Sequence, residues 1–553
     1  MIPPVAVIAD AHFHDITGDF GFSGIEAGGR RLTLRSWAET ATAGRAFNES
    51  GDALRYVLQQ VRAQGVRHVV LLGDYTDDGQ AENTRRLADY LGSQRDLRFY
   101  AIPGNHDVYG PSGKHTATRF LSADGRPVLV TSDPVLAATE PDAILTSAMR
   151  CDGQPEGLMP MAAFGLSRQP EYIHWETPFG ASDRPDHRLY VAHSADGQVT
   201  RQLMDASYLV EPEDGLWLLM IDANIFEPRD GSWRIGQKRA IIDPAAAGWN
   251  ALPRVKPFLL EWIADVRARA DRCGKQLLTF SHYPALDPFQ DGNGSEQALF
   301  GETVIARRSP RPEAAQALAA TGVRLHVSGH IHAANDATIG TLREIALPSI
   351  TGFPPAFAVL RSDEGDVSAK MIPIAEMPLD PGLMGVYRAE AAESDASLSE
   401  TTFGPFLTAQ MRARVLSRVV PRDWPSNIMA ALPRCSALDL AALLVGGLTL
   451  DAQPDTDRVA KSVSPHGLTV DALANYALTD LVADWYLLRQ AGALTEDAVS
   501  PDRIAICRYL VAEFADGKAD PAIGAREFFA RFLSVLAVSL QRLDDSQFRP
   551  AWR

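Results

Sequence analysis

Six short apolar runs, each ending at a polar cluster, constrain the fold of this chain more than any other feature of its sequence. Apolar runs of this length are typical of strands that helices cover on both faces, as in a layered α/β protein. Between the first two runs, Asp52 to Gln64 has its apolar residues at helical spacing and is predicted to form such a helix. The pattern therefore predicts an α/β fold for the first two-thirds of the chain. The runs are Val5 to Ala9, His68 to Leu72, Arg98 to Ile102, Leu216 to Ile221, Gln276 to Phe280 and Val323 to Val327.

Carboxylate, amide and imidazole side chains stand where these runs end. In α/β sheets, ligands bind at the carboxyl ends of the strands, so we expect these side chains to lie close together. They supply oxygen and nitrogen ligands without sulfur, a set that suits two divalent ions such as Mn, Fe or Zn. The candidate metal ligands are Asp10, His12, Asp74, Asn105, His282, His330 and His332.

The spacing within these clusters has a physical meaning. Residues two apart at the end of a strand point to the same side, so Asp10 and His12 can share one ion. His330 and His332 have the same spacing. The residues that precede Asp74, Asn105 and His330 are glycines, which permit the tight turns that bring such loops together.

The ordered series DxH, GD, GNHD, a lone histidine and GHxH resembles the signature of the calcineurin-like metallophosphoesterases. The series runs from Asp10 to His332 and fills every core ligand position. The resemblance implies a four-layer α/β/β/α sandwich, which agrees with the strand pattern, and it implies a phosphoric ester hydrolase.

The resemblance also implies a role for each matching residue. Two divalent ions would generate a bridging hydroxide for in-line attack on phosphorus. His106 would protonate the leaving oxygen or stabilise the equatorial charge, and Asp107 would orient its imidazole. For the metals, Asp10, His12 and His332 would bind the first ion, Asn105, His282 and His330 the second, and Asp74 would bridge the two.

The motifs of this chain differ from those of two branches of the family. Purple acid phosphatases carry a tyrosine three residues after the bridging aspartate, where this chain has Asp77. The phosphoprotein phosphatases have GDxVDRG and GNHE motifs, whereas this chain lacks that arginine and ends its second motif in Asp107. The chain is more similar to the broad bacterial-type phosphoesterases. We therefore expect a small phosphodiester or nucleotide-type substrate, with a phosphomonoesterase or a non-catalytic metal-binding scaffold as the alternatives.

Charge and composition limit the partners. The net charge of −16 opposes attraction to a polyphosphate backbone, so a small-molecule phosphate ester is expected and a nucleic-acid polymer, as for a DNA exonuclease, is not. Four widely spaced cysteines suit a reducing compartment. No signal peptide or membrane-spanning stretch is evident, which predicts a cytoplasmic protein without membrane association.

The chain is predicted to have two domains. Residues 1–390 would form the metallophosphoesterase domain, with insertions near 18–50 and 109–214 that carry specificity. Three short strand-like runs between 341 and 372 would complete a second sheet. Residues 391–553 would form a C-terminal α-helical domain. Its predicted helices are Phe403 to Val420, Ser436 to Val445, Leu468 to Ala491, Arg503 to Phe514 and Ala525 to Leu543.

Several polar and aromatic residues fit either the site or ordinary packing. His14 and Asp15 follow the first motif, and Tyr283 follows the lone histidine. Asp222 and Asn224 end a predicted strand and could support the metal ligands. The aromatic group Tyr172, His174 and Trp175 could stack on a nucleobase or form local core.

Overall fold

The computed structural model describes residues 2–233, 238–289, 294–363, 366–391, 396–446, 449–450, 453–495, 498–515 and 524–544. The chain packs as two compact units. The first comprises residues 1–40, 45–288 and 308–406, and the second comprises 41–44, 289–307 and 407–553. The domain boundary predicted at residue 390 stays a prediction, and residues 392–395 and 545–553 of the predicted C-terminal domain lie outside the described residues.

A five-stranded sheet in the first unit carries the first motifs. Its strands are β1 (Val5–Ile8), β2 (His68–Leu72), β3 (Arg98–Ile102), β11 (Ala356–Asp363) and β12 (Asp366–Pro373). Their order is β12-β11-β1-β2-β3, with β1, β2 and β3 parallel and β11 antiparallel to β1. All residues of β1 and β2 are buried, as expected for strands that are covered on both faces.

A seven-stranded sheet in the same unit carries the later motifs. Its strands are β4 (His174–Glu176), β5 (Tyr208–Glu213), β6 (Leu216–Ile221), β7 (Gln276–Ser281), β8 (Leu325–Ser328), β9 (Asn335–Ile339) and β10 (Leu342–Ala346). Their order is β4-β5-β6-β7-β8-β10-β9, and β6, β7, β8 and β10 run parallel. The carboxyl ends of these parallel strands therefore lie at one edge, where polar loops follow.

The prediction for residues 341–372 was wrong in part. Leu342–Ala346 joins the seven-stranded sheet, but Ala356–Asp363 and Asp366–Pro373 form a hairpin in the other sheet. The hairpin pairs with β1, so the chain crosses between the sheets after residue 346. The alternation of short strands does not specify which sheet edge a strand joins, because both edges accept the same backbone hydrogen bonds.

Helices cover the sheets and complete the four-layer α/β/β/α arrangement, so the predicted fold class is confirmed. Ser50–Ala63 and Ala81–Ser93 connect the parallel strands of the first sheet, and Leu54, Val57, Leu58 and Val61 of the first helix are buried. The other helices of this part are Trp37–Thr40, Pro134–Ala137, Pro244–Val255, Pro257–Cys273, Pro312–Ala320 and Pro381–Glu390.

The two predicted insertions contain short strands of their own. Residues 18–50 include the hairpin Ile25–Ala27 with Arg30–Leu32. Residues 109–214 contribute β4 and β5 to the large sheet as well as three small strand groups. These groups are Lys114–His115 with Arg150–Cys151, Ala117–Leu121 with Pro127–Thr131 and Ile144–Leu145, and Leu189–His193 with Thr200–Met204.

The C-terminal part is helical, as predicted. In the second unit, buried aromatic rings pack closely, with Trp485 and Phe532 centroids 5.2 Å apart and Trp424 and Phe532 centroids 5.3 Å apart. Within the described ranges, no helix is both long and apolar enough to cross a membrane. The helices are Phe403–Arg414, Val420–Asp423, Ser426–Ala431, Ala437–Leu444, Thr456–Val463, Val470–Ala474, Leu478–Ala491, Pro501–Phe514 and Ala525–Asp544.

Candidate metal centre

The first group of candidate ligands comprises Asp10, His12 and His332. One ligand atom from each lies within 4.8 Å of the others. His332 Nε2 is 3.2 Å from His12 Nε2 and 3.3 Å from Asp10 Oδ1. The other oxygen of Asp10, Oδ2, accepts a hydrogen bond from the backbone N–H of His330 at 2.9 Å. Oδ1 is buried, and no group in the described part of the chain forms a hydrogen bond with it. Two strand ends of different sheets, those of β1 and β8, therefore supply this group.

The second group comprises Asp74, His282 and His330, again within 4.8 Å of one another. His282 Nδ1 donates to the carbonyl oxygen of Leu72 at 3.0 Å, and His330 Nε2 donates to that of Ala245 at 2.8 Å. These carbonyls fix the tautomers of the neutral imidazoles, because each requires an N–H from the ring. The opposite nitrogens, His282 Nε2 and His330 Nδ1, then carry lone pairs and lie 3.2 Å apart.

The backbone at these residues is strained. Among the residues that the structure describes, five non-glycine residues have φ between +41° and +67°. All five are candidate ligands, namely Asp10, His12, Asp74, His330 and His332. Such conformations are uncommon for residues with a Cβ atom and persist where the surrounding structure imposes them, which is typical of functional sites.

Glycines leave room for the ligand side chains. A Cβ atom on Gly329 would lie 2.5 Å from Asp10 Oδ2, and one on Gly73 would lie 2.5 Å from the ring of His282. A Cβ atom on Gly104 would overlap Asp74 Oδ1. A side chain at any of these positions would therefore clash with a candidate ligand. At Gly104 and Gly329 it would clash with a carboxylate that lies close to the backbone.

The residues on either side of Asn105 place it beside Asp74. Gly104 contacts Asp74, and the backbone N–H of His106 donates to Asp74 Oδ1 at 2.7 Å. The side-chain oxygen of Asn105 is buried and has no hydrogen-bond partner among the residues that the structure describes. A buried amide oxygen without a donor is costly, and a bound cation would satisfy it.

These observations fit two divalent cations. Each group brings a carboxylate oxygen and imidazole lone pairs together at distances where they repel one another unless a positive charge lies between them. Asp74 Oδ2 is 3.3 Å from His282 Nε2, so a carboxylate belongs to each group. Imidazole and carboxylate ligands without sulfur suit Mn, Fe or Zn.

Burial and neighbouring charges set the protonation of these residues. Burial, and then the positive charge of Arg45, lower the pKa of His12 well below its usual range. Burial and His282 do the same to His330. Burial opposes a charged His282, but Asp74 outweighs this effect and raises the pKa of His282 to about 9. The negative potential at Asp74 that attracts a proton to His282 is the potential that attracts a cation.

The carboxylate that lies beside the His106 imidazole is that of Asp78, whereas the sequence analysis expected that of Asp107. His106 Nδ1 lies 3.3 Å from Asp78 Oδ1, and Lys114 Nζ lies 2.6 Å from the same oxygen. Although burial opposes its charge, Asp78 has a lowered pKa because of His106 and Lys114. The His106 ring is 5.1 Å from that of His12, and its side chain is 26% exposed. His106 is therefore both beside the ligands and open to solvent.

Asp107 instead joins the two loops that carry Asp74 and Asn105. Its carboxylate accepts hydrogen bonds from the backbone N–H groups of Gly104 and Thr76 at 2.8 and 2.9 Å, and from the Thr76 hydroxyl at 2.8 Å. Burial, and then the charge of Asp74, raise the pKa of Asp107 to about 7. The carboxylate is directed at backbone donors because consecutive residues in a tight turn point in different directions.

The sequence did not decide whether His14, Tyr283 and Asn224 have a role at the site or in packing. His14 is buried, stacks on Phe120 at 5.5 Å and hydrogen-bonds the carbonyl oxygen of Thr33. The Tyr283 ring lies 4.4 Å from that of His330, and its hydroxyl donates to Asn224 Oδ1 at 3.0 Å. Tyr283 and Asn224 therefore support a ligand.

Asp222 and Trp175, whose roles the sequence left undecided, lie in the protein interior. Asp222 is fully buried and accepts from Lys256 Nζ at 3.0 Å. Trp175 is buried and donates to the carbonyl oxygen of Gly165 at 2.8 Å, and His174 stacks on Trp217. Tyr172 and Trp175 are therefore part of the local core, whereas the His174 side chain is 39% exposed.

Sequence reasoning missed three charged residues near the centre: Arg45, Asp78 and Lys114. Arg45 and Lys114 belong to the insertions and match no motif. The sequence held one signal for such charged partners: the loop after Asp74 carries two consecutive aspartates, Asp77 and Asp78. A buried aspartate needs a cationic partner.

Residues 3–144 match the sequence model of the family described as calcineurin-like phosphoesterase. The match covers the DxH, GD and GNHD motifs, and the resemblance drawn from those motifs is confirmed. No curated protein matches this chain.

Solved structures with a related fold have low sequence identity to the chain. A dimetal phosphatase from Danio rerio is 15% identical and has a TM-score of 0.34, with 67% of this chain and 96% of that chain covered. A protein from Staphylococcus aureus described as a candidate 5′-nucleotidase is 12% identical with a TM-score of 0.32, covering 70% and 57%. A phosphopantetheinyl hydrolase from Mycobacterium tuberculosis is 11% identical with a TM-score of 0.25, covering 63% and 90%. With TM-scores this low, these likenesses do not bear on the substrate.

Proposed function

Since the chain is a calcineurin-like metallophosphoesterase, and thus a metal-dependent hydrolase of phosphoric esters, we propose that it acts on a small phosphate ester at two divalent metal ions. A nucleotide-type molecule or a small phosphodiester is the favoured substrate. The net charge of −16 supports a small molecule over a nucleic-acid polymer, because an acidic surface repels a long polyanion.

The observation that carries this proposal is the convergence of two buried ligand groups on strained backbone. Six carboxylate and imidazole side chains meet in two sets of three, and five of them have positive φ. In the proposed centre the first set would hold one ion, His282, His330 and Asn105 would hold the other, and Asp74 would serve both. Mn, Fe and Zn all suit these ligands.

When bound, two divalent ions supply a deprotonated water for in-line attack and neutralise charge on the phosphoryl oxygens. The protein itself contributes orientation and a proton. The carbonyl oxygens of Leu72 and Ala245 hold His282 and His330 in the tautomers that leave their lone pairs facing the centre. Asp107 holds the two loops together through backbone donors.

His106 is the proposed proton donor to the leaving oxygen. Nδ1 of the imidazole lies 3.3 Å from the carboxylate oxygen Oδ1 of Asp78, and this pairing would leave Nε2 to face the substrate. The side chain is 26% exposed, which leaves it open to an entering ester, whereas its neighbour His12 is 1% exposed. Asp78 acts as a positioning residue that holds the ring.

The test combines metal analysis with hydrolysis of bis-p-nitrophenyl phosphate and p-nitrophenyl phosphate in the presence of Mn. The His106→Ala variant should keep its metal and lose about 10²- to 10⁴-fold in kcat, as expected for removal of a general acid. The Asp74→Asn variant should lose metal and turnover together. His193→Ala, which removes an exposed imidazole, is the matched control and should behave as the wild type.

Each outcome has a distinct meaning. Two bound ions with diester turnover that depends on His106 would support a phosphodiesterase, and monoester preference would support a phosphatase. Bound metal without turnover of either ester would favour a non-catalytic scaffold. Wild-type protein that binds no metal, or Asp74→Asn protein with intact turnover, would refute the two-metal mechanism.

A further inference from the structure

A buried carboxylate in the seven-stranded sheet, that of Glu344 on β10, has no part in the mechanism proposed above. Glu344 is 2% exposed. Ser328 Oγ donates to Oε1 of this carboxylate at 2.8 Å, and His326 Nδ1 lies 2.7 Å from Oε2. The backbone N–H groups of Ala285 and Leu286 donate to Oε2 at 3.0 and 3.1 Å. One carboxylate therefore has four hydrogen-bonding partners.

These partners belong to the two segments that carry the imidazole ligands of the second group. Two of them lie three and four residues after His282, and the other two lie in β8, four and two residues before His330. The backbone N–H of Gly329 also donates to the carbonyl oxygen of His282 at 2.9 Å. Glu344 therefore connects the segments whose ligand atoms, His330 Nδ1 and His282 Nε2, lie 3.2 Å apart.

His326 extends this network to the backbone on both sides of His282. His326 Nε2 is 2.8 Å from Ser281 Oγ, and this hydroxyl donates to the carbonyl oxygen of Tyr283 at 2.8 Å. The indole N–H of Trp249 donates to the same hydroxyl oxygen at 3.0 Å. Because Ser281 and Tyr283 directly flank His282, the network holds the backbone of this candidate ligand from both sides.

The series Ser281, His326 and Glu344 has the residue types of a hydrolytic triad, but its burial excludes that chemistry. Ser281 and His326 are both 0% exposed, so a substrate does not reach the hydroxyl. The hydroxyl proton is directed at the carbonyl oxygen of Tyr283 and not at the imidazole, which would have to accept it from a nucleophile. The network therefore acts on the position of the backbone.

The first ligand group has different supports. Ser349 Oγ donates to the carbonyl oxygen of Asp10 at 2.7 Å, and the backbone N–H of His12 donates to the carbonyl oxygen of Asp74 at 2.8 Å. Within the described part of the chain, the hydrogen bonds of Glu344 all go to the segments near the second group. A change at Glu344 should therefore act more on the second ion than on the first.

We propose that Glu344 is a positioning residue for the second metal ion and acts through His282 and His330. The proposal rests on the proposed function, because it requires an ion at these two imidazoles. Groups that orient metal ligands contribute to metal affinity, because ligands held in the bound geometry lose less freedom when the ion enters. Glu344 supplies this effect through the backbone of the ligand segments and not through contact with the ligand atoms.

The experiment compares Glu344→Gln with the control Asp205→Asn. Glutamine keeps the shape of glutamate but turns an NH₂ group toward donors, so the network loses an acceptor. Asp205 is also 0% exposed, but it accepts from Lys256 Nζ and from the backbone N–H of Ser207, both at 2.8 Å. Calorimetry on metal-free protein measures the affinity for Mn, and a His282→Ala protein identifies the binding step of the second ion. Thermal unfolding is measured in parallel.

Glu344→Gln should bind the second Mn ion about tenfold to a hundredfold more weakly, the range expected for loss of an outer hydrogen-bond partner of a metal ligand. The affinity for the first ion should change by less than about threefold. Excess Mn should restore turnover, so the Mn concentration for half-maximal rate rises while kcat at saturating Mn changes little. Asp205→Asn should lower the Tm and keep both Mn affinities within about twofold of the wild type.

The proposal is overturned if Glu344→Gln loses thermal stability but keeps both Mn affinities, if it weakens both ions equally, or if Asp205→Asn weakens the second ion as much. If Glu344→Gln does not fold, Ser328→Ala decides, because it removes one donor to the carboxylate. That variant should weaken the second ion by about threefold to tenfold, and an unchanged affinity overturns the proposal.

Failure of the proposed function looks different, because it appears in the wild type. A wild type that binds two Mn ions but hydrolyses neither ester would refute the enzymatic function, and the Mn affinities would still decide the role of Glu344. A wild type that binds no second ion would overturn both proposals.

Discussion

Replacement of Glu49 by glutamine should stabilise the protein at alkaline pH and have little effect at acidic pH. Glu49 is 2% exposed and immediately precedes the helix Ser50–Ala63. Burial raises its pKa from the ordinary value of 4.5 to about 7, and the nearby charge of Asp52 adds to this effect. The backbone N–H of Glu49 and then the nearby Tyr387 hydroxyl oppose this rise of the pKa in part.

The sign and size of the effect follow from these values. Between pH 4.5 and about pH 7 the folded protein keeps a proton that the unfolded chain releases, so the free energy of unfolding falls as the pH rises through this window. One pH unit of difference corresponds to about 1.4 kcal/mol, so the total loss is on the order of 3 kcal/mol. Glutamine does not titrate and should avoid this loss.

The assay is denaturant unfolding of wild type and Glu49→Gln at about pH 5 and about pH 9, outside most of the titration window. Subtraction of one protein from the other cancels the other titrating groups. The advantage of the variant should grow by on the order of 3 kcal/mol between the two pH values. Tyr387→Phe, which removes the hydroxyl that lowers the pKa of Glu49, should move the loss of stability to higher pH. An equal difference between wild type and Glu49→Gln at both pH values would refute the reasoning.

Two further predictions concern the metal centre. Asp78→Asn should lower kcat about tenfold to a hundredfold with metal content unchanged, because His106 loses a charged acceptor, and an unchanged kcat would exclude Asp78 as its positioning residue. Gly104→Ala should lose bound metal and turnover, as measured by metal analysis and ester hydrolysis, because its Cβ atom would overlap the carboxylate of Asp74. Gly92→Ala, with no atom within 4 Å of the added Cβ, is the control, and Gly104→Ala protein with full metal content would contradict the argument.

The sequence predicted that six of the candidate ligands converge, because side-chain chemistry and position at a strand end can both be read from residue type and pattern. Imidazole and carboxylate groups at the ends of apolar runs converge in any α/β sheet whose parallel strands share an edge. For this reason Asp10 and His332 were expected to lie close together, although most of the first unit separates them in sequence. Their side chains are 3.3 Å apart. The assignment of all seven ligands to ions stays a proposal.

The sequence also determined the fold class and the helical C-terminal part, since burial pattern and helical period are local properties. The strain at the ligands was not predictable. Positive φ at Asp10 and Asp74 results from the packing of loops from two sheets, and the residue type at these positions does not reveal it.

Only the tertiary structure decided which charged groups surround the centre. Asp107 is adjacent to His106 in sequence, yet the carboxylate beside the His106 imidazole is that of Asp78 from another loop, because a turn directs neighbouring side chains apart while packing brings distant ones together. The same holds for Arg45, which a long insertion returns to the loop of His12 through Asp77. The path of such an insertion depends on contacts distant in sequence, whereas the metal ligands are fixed by the strands that precede them.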